Sequence, residues 1–97
     1  MSQIGSILDE LYEVCTDRKV NPKTGSYTNY LLDKGIDKIC KKIGEEATEV
    51  VIAAKNNDAE ELTYELADLY YHLIVLMVQE GIELDTLFAE LKKRRPS

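Results

Sequence analysis

The chain has little cysteine, one histidine and no long apolar run. Cys15 and Cys40 stand far apart without metal-ligand spacing. That predicts two reduced, buried thiols rather than a disulfide. The single histidine, His72, argues against a di-iron carboxylate bundle, which needs a Glu-x-x-His pair on each of two helices. It reads instead as a satisfied, partly buried helix residue. Positive charge is also scarce: 12 Lys and Arg stand against 18 Asp and Glu, a formal net charge of -6. No basic patch dominates, which argues against nucleic-acid or membrane-surface binding. An acidic protein that handled an anionic nucleotide would need metal ions or a local basic cluster. The apolar runs are too short to span a bilayer. Met1 to Gly5 carries no basic region, so no signal peptide is expected and the cytoplasm is the expected location. Strand-like alternation, repeats and low-complexity tracts are absent. The expectation is a single all-α domain over residues 1–97.

What is present is helical periodicity. Ile4, Ile7, Leu8, Leu11, Val14 and Cys15 predict a first helix over Ile4 to about Arg18, opened by Ser2 or Gln3. Pro22 and Gly25 mark a loop, after which Ser26 or Thr28 can cap a short helix that ends near Gly35 in a left-handed turn. Ile36 to Lys55 is the best-patterned segment, with Ile36, Ile39, Cys40, Ile43, Ala47, Val50, Val51 and Ala54 on one stripe. Gly44 lies inside it at a cost of about 1 kcal/mol relative to alanine, which points to close backbone approach or to room beside acidic groups. Asn56-Asn57 breaks this helix, and Asp58 with Glu61 opens the next as a capping box. Leu62, Leu66, Leu69, Leu73, Leu76 and Met77 form its main stripe, and Gly81 ends it. Between Leu69 and Val78 other directions are apolar too. A helix apolar nearly all round is buried nearly all round, more than four or five helices of this size achieve alone. A bundle completed by homodimerisation follows. A last helix to about Arg94 turns Leu84, Leu87, Phe88 and Leu91 inward.

Two acidic clusters lie on the two central helices. At 100° per residue, Glu45, Glu46 and Glu49 fall at roughly 180°, 280° and 220°, with the apolar stripe centred at about 0°. On the next helix Glu61, Glu65, Asp68 and His72 share one arc beside the leucines. Joined by a tight turn, the pair packs antiparallel, so Glu46 and Glu49 face Glu65 and Asp68 across the seam. Acids on helix faces are ordinarily just solvated, and Glu45 and Glu46 can pair with Lys42. Four facing carboxylates, however, suit Mg²⁺ or Mn²⁺, hard cations that take oxygen ligands. Lys38 and Lys42 lie on the same side, which suits phosphate oxygens or, alternatively, intrahelical ion pairing.

The blocks Ser26-Tyr27-Thr28, Lys42-Ile43-Gly44-Glu45-Glu46-Ala47-x-Glu49 and Glu65-Leu66-Ala67-Asp68-Leu69-x-Tyr71-His72 resemble the phosphoribosyl-ATP pyrophosphatases. These belong to the all-α, MazG-like nucleotide pyrophosphohydrolases, whose shared signature is ExxE followed by ExxD. The resemblance runs from about Ile4 to Leu91 and is to the stand-alone form, without a fused cyclohydrolase. It implies hydrolysis of phosphoribosyl-ATP to phosphoribosyl-AMP and pyrophosphate in histidine biosynthesis. It implies Mg²⁺ (Mn²⁺ possible) on Glu46, Glu49, Glu65 and Asp68, with Glu45 or Glu49 accepting the proton of the attacking water. Lys42, Lys38, Lys34 and Arg18 would offset phosphate charge, and Ser26, Tyr27 and Thr28 would contact substrate. Two other functions fit the residues: a house-cleaning pyrophosphohydrolase acting on dNTPs, and a noncatalytic helical dimerisation module. The first keeps the metal chemistry; the second leaves the facing acids unexplained.

Overall fold

Five helices account for most of residues 3–96, the part of the chain described by the computed structural model. They are α1 (Ile4–Val20), α2 (Tyr27–Lys34), α3 (Ile36–Lys55), α4 (Ala59–Glu80) and α5 (Leu84–Lys93), and no strand occurs among the described residues. The all-α expectation holds. Ser2, one of the two candidates to open α1, lies outside the described residues; Gln3 precedes that helix without a side-chain cap.

The chain's polar punctuation does the capping. Ser26 Oγ accepts from the Asn29 amide and starts α2. Asp58 Oδ1 accepts from the Glu61 amide at 3.0 Å and starts α4. The reciprocal half of the capping box is replaced, because the Asp58 amide bonds the Ala53 carbonyl. That bond, with Asn57 N–H on the Ala54 carbonyl and Asn57 at φ 56°, closes α3 in a Schellman turn with asparagine in the left-handed position. Gly81 does the same for α4, with φ 70° and ψ 25° and Ile82 N–H on the Met77 carbonyl. Gly35 differs from the left-handed turn expected of it. At φ 87° and ψ -169° it occupies a region essentially restricted to glycine, and it serves at once as the last cap of α2 and the first of α3.

The most extensive packing is between α3 and α4, with α1 and α2 laid across them. Cys15, Leu31, Ile39, Ile74, Val75, Val78 and Leu84 form the core. The Tyr12 hydroxyl donates to the Ile82 carbonyl at 2.9 Å and ties α1 to the α4–α5 turn. α5 is held by Leu84 and Phe88, whereas Leu87 and Leu91 are exposed rather than inward. Cys40 is exposed too, against the expectation of two buried thiols; both cysteines are free.

The helix faces are used differently from the pattern read in the sequence. Ile39, Glu46 and Ala53 are the buried residues of α3, two turns apart in register. Its inward face is thus the edge of the stripe that borders the carboxylates. Ala47, Val51 and Ala54 are exposed, Val51 to 60%. On α4 the buried residues are Glu65, His72, Ile74, Val75 and Val78, while Leu62, Leu69 and Leu73 are half-buried and Leu66 is exposed. Of the stripe read in the sequence, Leu76 and Met77 pack against the core, whereas Leu66 is exposed and Leu62, Leu69 and Leu73 lie outside the core cluster. A chain of this size covers one side of its central helix pair and leaves the other apolar side open. A Cβ at Gly44 would meet nothing within 4 Å, so the close approach that could explain this glycine is not supplied by its own chain.

Candidate metal centre

The antiparallel pairing of α3 and α4 brings the acidic residues together at the seam. Carboxylate oxygens of Glu46, Glu49 and Glu65 lie within 4.8 Å of one another. So do ligand atoms of Glu46, Asp68 and His72. Glu46 belongs to both groups and sits between them. It is 6% exposed, as is Glu65, so two carboxyls occupy positions that ordinarily hold apolar residues. Among the described residues, Glu46 Oε2 is a buried side-chain oxygen without a hydrogen-bond partner. A buried acceptor left this way costs about 1–3 kcal/mol.

The electrostatics follow from this crowding. Burial pushes the Glu46 carboxyl up to about 7, helped by contact with Asp68 and by the charges of Asp68 and Glu49. Glu65 is likewise pushed up to about 7, first by its contact with Glu49, then by burial and by the charges of Glu49, Glu61 and Asp68. Carboxyls this close share a proton or share a cation. The donor set is all oxygen, with an imidazole at its edge, and the orphaned oxygen of Glu46 faces its own acid neighbours. The residues fit a hard divalent cation. A cleft of about 290 Å³, lined by Glu49, Ile52, Ala53, Asn56, Asp58, Glu61 and Glu65, opens beside the cluster.

Glu45 stands apart from both groups. It is half-exposed and pairs with Lys42 Nζ at 3.9 Å, one turn back on α3. Lys42 also lies close enough to Tyr27 to act on its hydroxyl electrostatically, alongside Asp68 and Glu46. Lys34 and Lys38 place their ammonium groups 5.9 Å from the ring centre of Tyr30. Arg18 is engaged by Asp17 at 2.9 Å, and its carbonyl accepts from Asn29 Nδ2.

The Ser26-Tyr27-Thr28 triplet fastens α2 to α4. Ser26 caps the helix, Thr28 bonds the Tyr71 hydroxyl, and the Tyr27 hydroxyl lies 2.9 Å from His72 Nε2. His72 is 2% exposed, and its Nδ1 lies 2.7 Å from the Asp68 carbonyl oxygen. That oxygen only accepts, so Nδ1 carries the proton of the neutral ring and Tyr27 donates to Nε2. His72 is the satisfied helix histidine expected of it, and it also links α2 to the residue bearing the Asp68 carboxylate. Buried Asn29 and the Tyr71 hydroxyl are structural polar groups that periodicity does not reveal, since each depends on a partner distant in the chain. The four-residue spacing of Tyr30, Lys34 and Lys38 is a sequence signal for this ring, although Gly35 interrupts the helix between them.

Comparison with known proteins places the chain among named relatives. A family model described as phosphoribosyl-ATP pyrophosphohydrolase matches residues 8–95. The phosphoribosyl-ATP pyrophosphatase of Lactiplantibacillus plantarum is 58% identical over 87 residues, which is 90% of this chain and 82% of that protein. The protein of the same name from Clostridium botulinum (strain Hall) is 56% identical over 90 residues, 93% of this chain and 82% of its own length. The histidine biosynthesis bifunctional protein HisIE of Thermoanaerobacter pseudethanolicus is 60% identical over 84 residues, 87% of this chain. The chain spans 39% of that protein's length, and 43% of the HisIE of Caldanaerobacter subterraneus.

Proposed function

The chain belongs to the phosphoribosyl-ATP pyrophosphohydrolase family, and from that premise we propose that it hydrolyses phosphoribosyl-ATP to phosphoribosyl-AMP and pyrophosphate, a step of histidine biosynthesis. The observation that carries the reading is Glu46: a buried carboxylate with an unpartnered oxygen, set among Glu49, Glu65 and Asp68. These four residues would hold Mg²⁺, or Mn²⁺ in its place. When bound, such an ion supplies charge neutralisation to the triphosphate oxygens and acidity to water.

The chain's own residues do the rest. Water attacks at the anhydride between the α and β phosphorus atoms, and its proton passes to a carboxylate as that bond breaks. Of the two candidate bases, Glu45 pairs with Lys42, whereas Glu49 lies against Glu46 and Glu65. This favours Glu49. Lys42 would offset charge on the phosphates beside the acids, with Lys38, Lys34 and Arg18 available further out. Tyr27 would contact substrate with the exposed part of its ring, and Ser26 and Thr28 would hold that wall in place. Pyrophosphate release should be at least about a hundredfold faster in kcat/KM on phosphoribosyl-ATP than on any member of a dNTP panel. Comparable rates across the panel would point instead to a house-cleaning enzyme.

The working unit would be a homodimer. Val51 on α3 with Leu66 and Tyr70 on α4 are exposed apolar residues on the side turned away from α1 and α2. A patch of this kind on a small protein marks an association surface. Placing charge at an exposed position ordinarily changes stability by no more than about 0.5 kcal/mol. The Val51→Glu, Leu66→Glu double variant should therefore keep its fold if the chain works alone. If two copies pack here, it should fall from twice the 11.0 kDa chain mass to a destabilised monomer in sedimentation. A wild-type protein that sediments as a single chain would end this part of the reading.

A further inference from the structure

Two lysines converge on one exposed ring outside the acidic cluster. Lys34 Nζ, from the end of α2, and Lys38 Nζ, from the start of α3, each lie 5.9 Å from the centre of the Tyr30 ring. Neither makes an ion pair among the described residues, whereas Lys42 has Glu45 and Arg18 has Asp17. Each ammonium group therefore sits beside the same ring with no carboxylate paired to it, and the π-face offsets only part of its charge. The arrangement suits an anion beside that ring.

The position of this cluster matters as much as its charge. Lys38 lies two turns before Glu46 on α3, about 12 Å along the axis at 1.5 Å per residue. Between them lies a row of rings: His72 to Tyr27 at 5.7 Å, then Tyr27 stacked on Tyr30 at 5.9 Å. Tyr27 and Tyr30 also line a cleft of about 620 Å³, whose other walls include Lys23, Ser26 and Asp33. The rings of Tyr27 and Tyr30 therefore lie between buried His72, beside the acids, and the two lysines.

Phosphoribosyl-ATP differs from ATP by a second sugar phosphate, so it is anionic at two ends. The triphosphate end needs the carboxylate-held ion. The phosphomonoester end needs cations that are not already neutralised by acids. We infer that Tyr30, Lys34 and Lys38 form the subsite for the phosphoribosyl arm, with the phosphomonoester taken by the two ammonium groups and the base over the Tyr27–Tyr30 stack. Asp33, on the same cleft, suits the ribose hydroxyls. The assignment rests on the phosphoribosyl-ATP reading, and it gives that reading a specificity device: a nucleoside triphosphate without the arm leaves this subsite empty.

The test is a binding comparison that needs no turnover. Calorimetry of the full chain with phosphoribosyl-AMP and with AMP isolates the arm. Wild type should bind phosphoribosyl-AMP about tenfold to a hundredfold more tightly than AMP, the usual scale of charge-assisted phosphate contacts. The Lys34→Gln, Lys38→Gln double variant should lose that advantage while AMP affinity is retained. Lys38→Arg should restore part of it, an outcome that a purely structural role would not produce. In turnover, the double variant's defect on phosphoribosyl-ATP should appear mainly in KM. Equal loss of both ligands would assign the lysines to the nucleotide's own phosphate and overturn the subsite. No loss of either would overturn it as well. A wild type that shows the affinity difference but hydrolyses no phosphoribosyl-ATP would leave the subsite standing and remove the proposed activity.

Discussion

Glu49→Gln should lower kcat of pyrophosphate release by about a thousandfold or more, with helical content and cooperative unfolding preserved. The expected size combines loss of a general base, worth about 10²–10⁴-fold, with loss of one carboxylate from the ion-binding set. Glu49 is exposed on α3, so the amide costs no packing. Its contact with Glu65 is one that an amide can make without a shared proton. The fold should therefore be at least as stable as wild type in the absence of a divalent ion. Glu45→Gln is the natural control. It breaks a half-exposed pair with Lys42 and should cost activity far less, if Glu49 is the base. Full activity in Glu49→Gln, measured by steady-state kinetics with Mg²⁺ present, would remove Glu49 from the mechanism. A large loss in Glu45→Gln with a small loss in Glu49→Gln would exchange their roles.

Glu46→Gln should move stability and activity in opposite directions. The sign follows from protonation. Glu46 titrates near 7 in the folded chain and at about 4.5 when ordinary, so the native state holds its proton more tightly than the unfolded state does. That favourable contribution is complete below about pH 4.5 and is lost as pH rises through about 7. Glu65 follows the same course. In EDTA, wild type should thus lose stability between pH 5 and pH 8. Glutamine at position 46 cannot ionise, and its amide can donate to Asp68 or Glu49. The variant should be more stable than wild type at pH 8 by about 2 kcal/mol, or about 10 °C in Tm for a chain of this length. Adding Mg²⁺ should raise the wild-type Tm at pH 8 and leave the variant nearly unmoved, and pyrophosphate release should be lost in the variant. Thermal melts at the two pH values, with and without the ion, read all of this. A variant less stable than wild type at pH 8 in EDTA would show that the Glu46 charge is compensated within the chain, contrary to this account.

Local signals in the sequence were strong where the physics is local. Ser26, Asp58 and Gly81 cap or close helices through bonds to residues three to five positions away, so each boundary could be read from its own neighbourhood. The four carboxylates were legible for the same reason. Three-residue spacing puts two acids on one helix face, and a tight turn makes the two helices antiparallel neighbours. The choice of inward face was not legible. The α3 stripe is apolar over a wide arc, and periodicity alone cannot tell which edge meets α4. In the structure the residues buried on α3 are Ile39, Glu46 and Ala53, while α2 is tied to α4 through Tyr27 and Thr28. The leucines of α4 misled in the same way. Leu62, Leu66, Leu69, Leu73, Leu76 and Met77 are the obvious hydrophobic row, yet the buried α4 residues of the core are Ile74, Val75 and Val78; of the row only Leu76 and Met77 pack against them, and Leu66 is exposed. A hydrophobic pattern marks every apolar face of a helix alike, and does not say which of them the chain's own core uses.

Gly35 gives the junction of α2 and α3 no slack. One residue closes one helix and opens the next, at a φ of 87° that side chains rarely adopt. The two helices therefore meet as an elbow of set angle rather than through a linker. Tyr30 and Lys34 lie on one arm of the elbow, and Lys38, Lys42 and the α3 carboxylates lie on the other. One extra residue at the joint would turn one arm against the other by roughly 100°, the rotation of a single helical step. The spacing between the lysine pair and the acids is in this sense a property of the backbone: a calliper whose opening is fixed by one glycine.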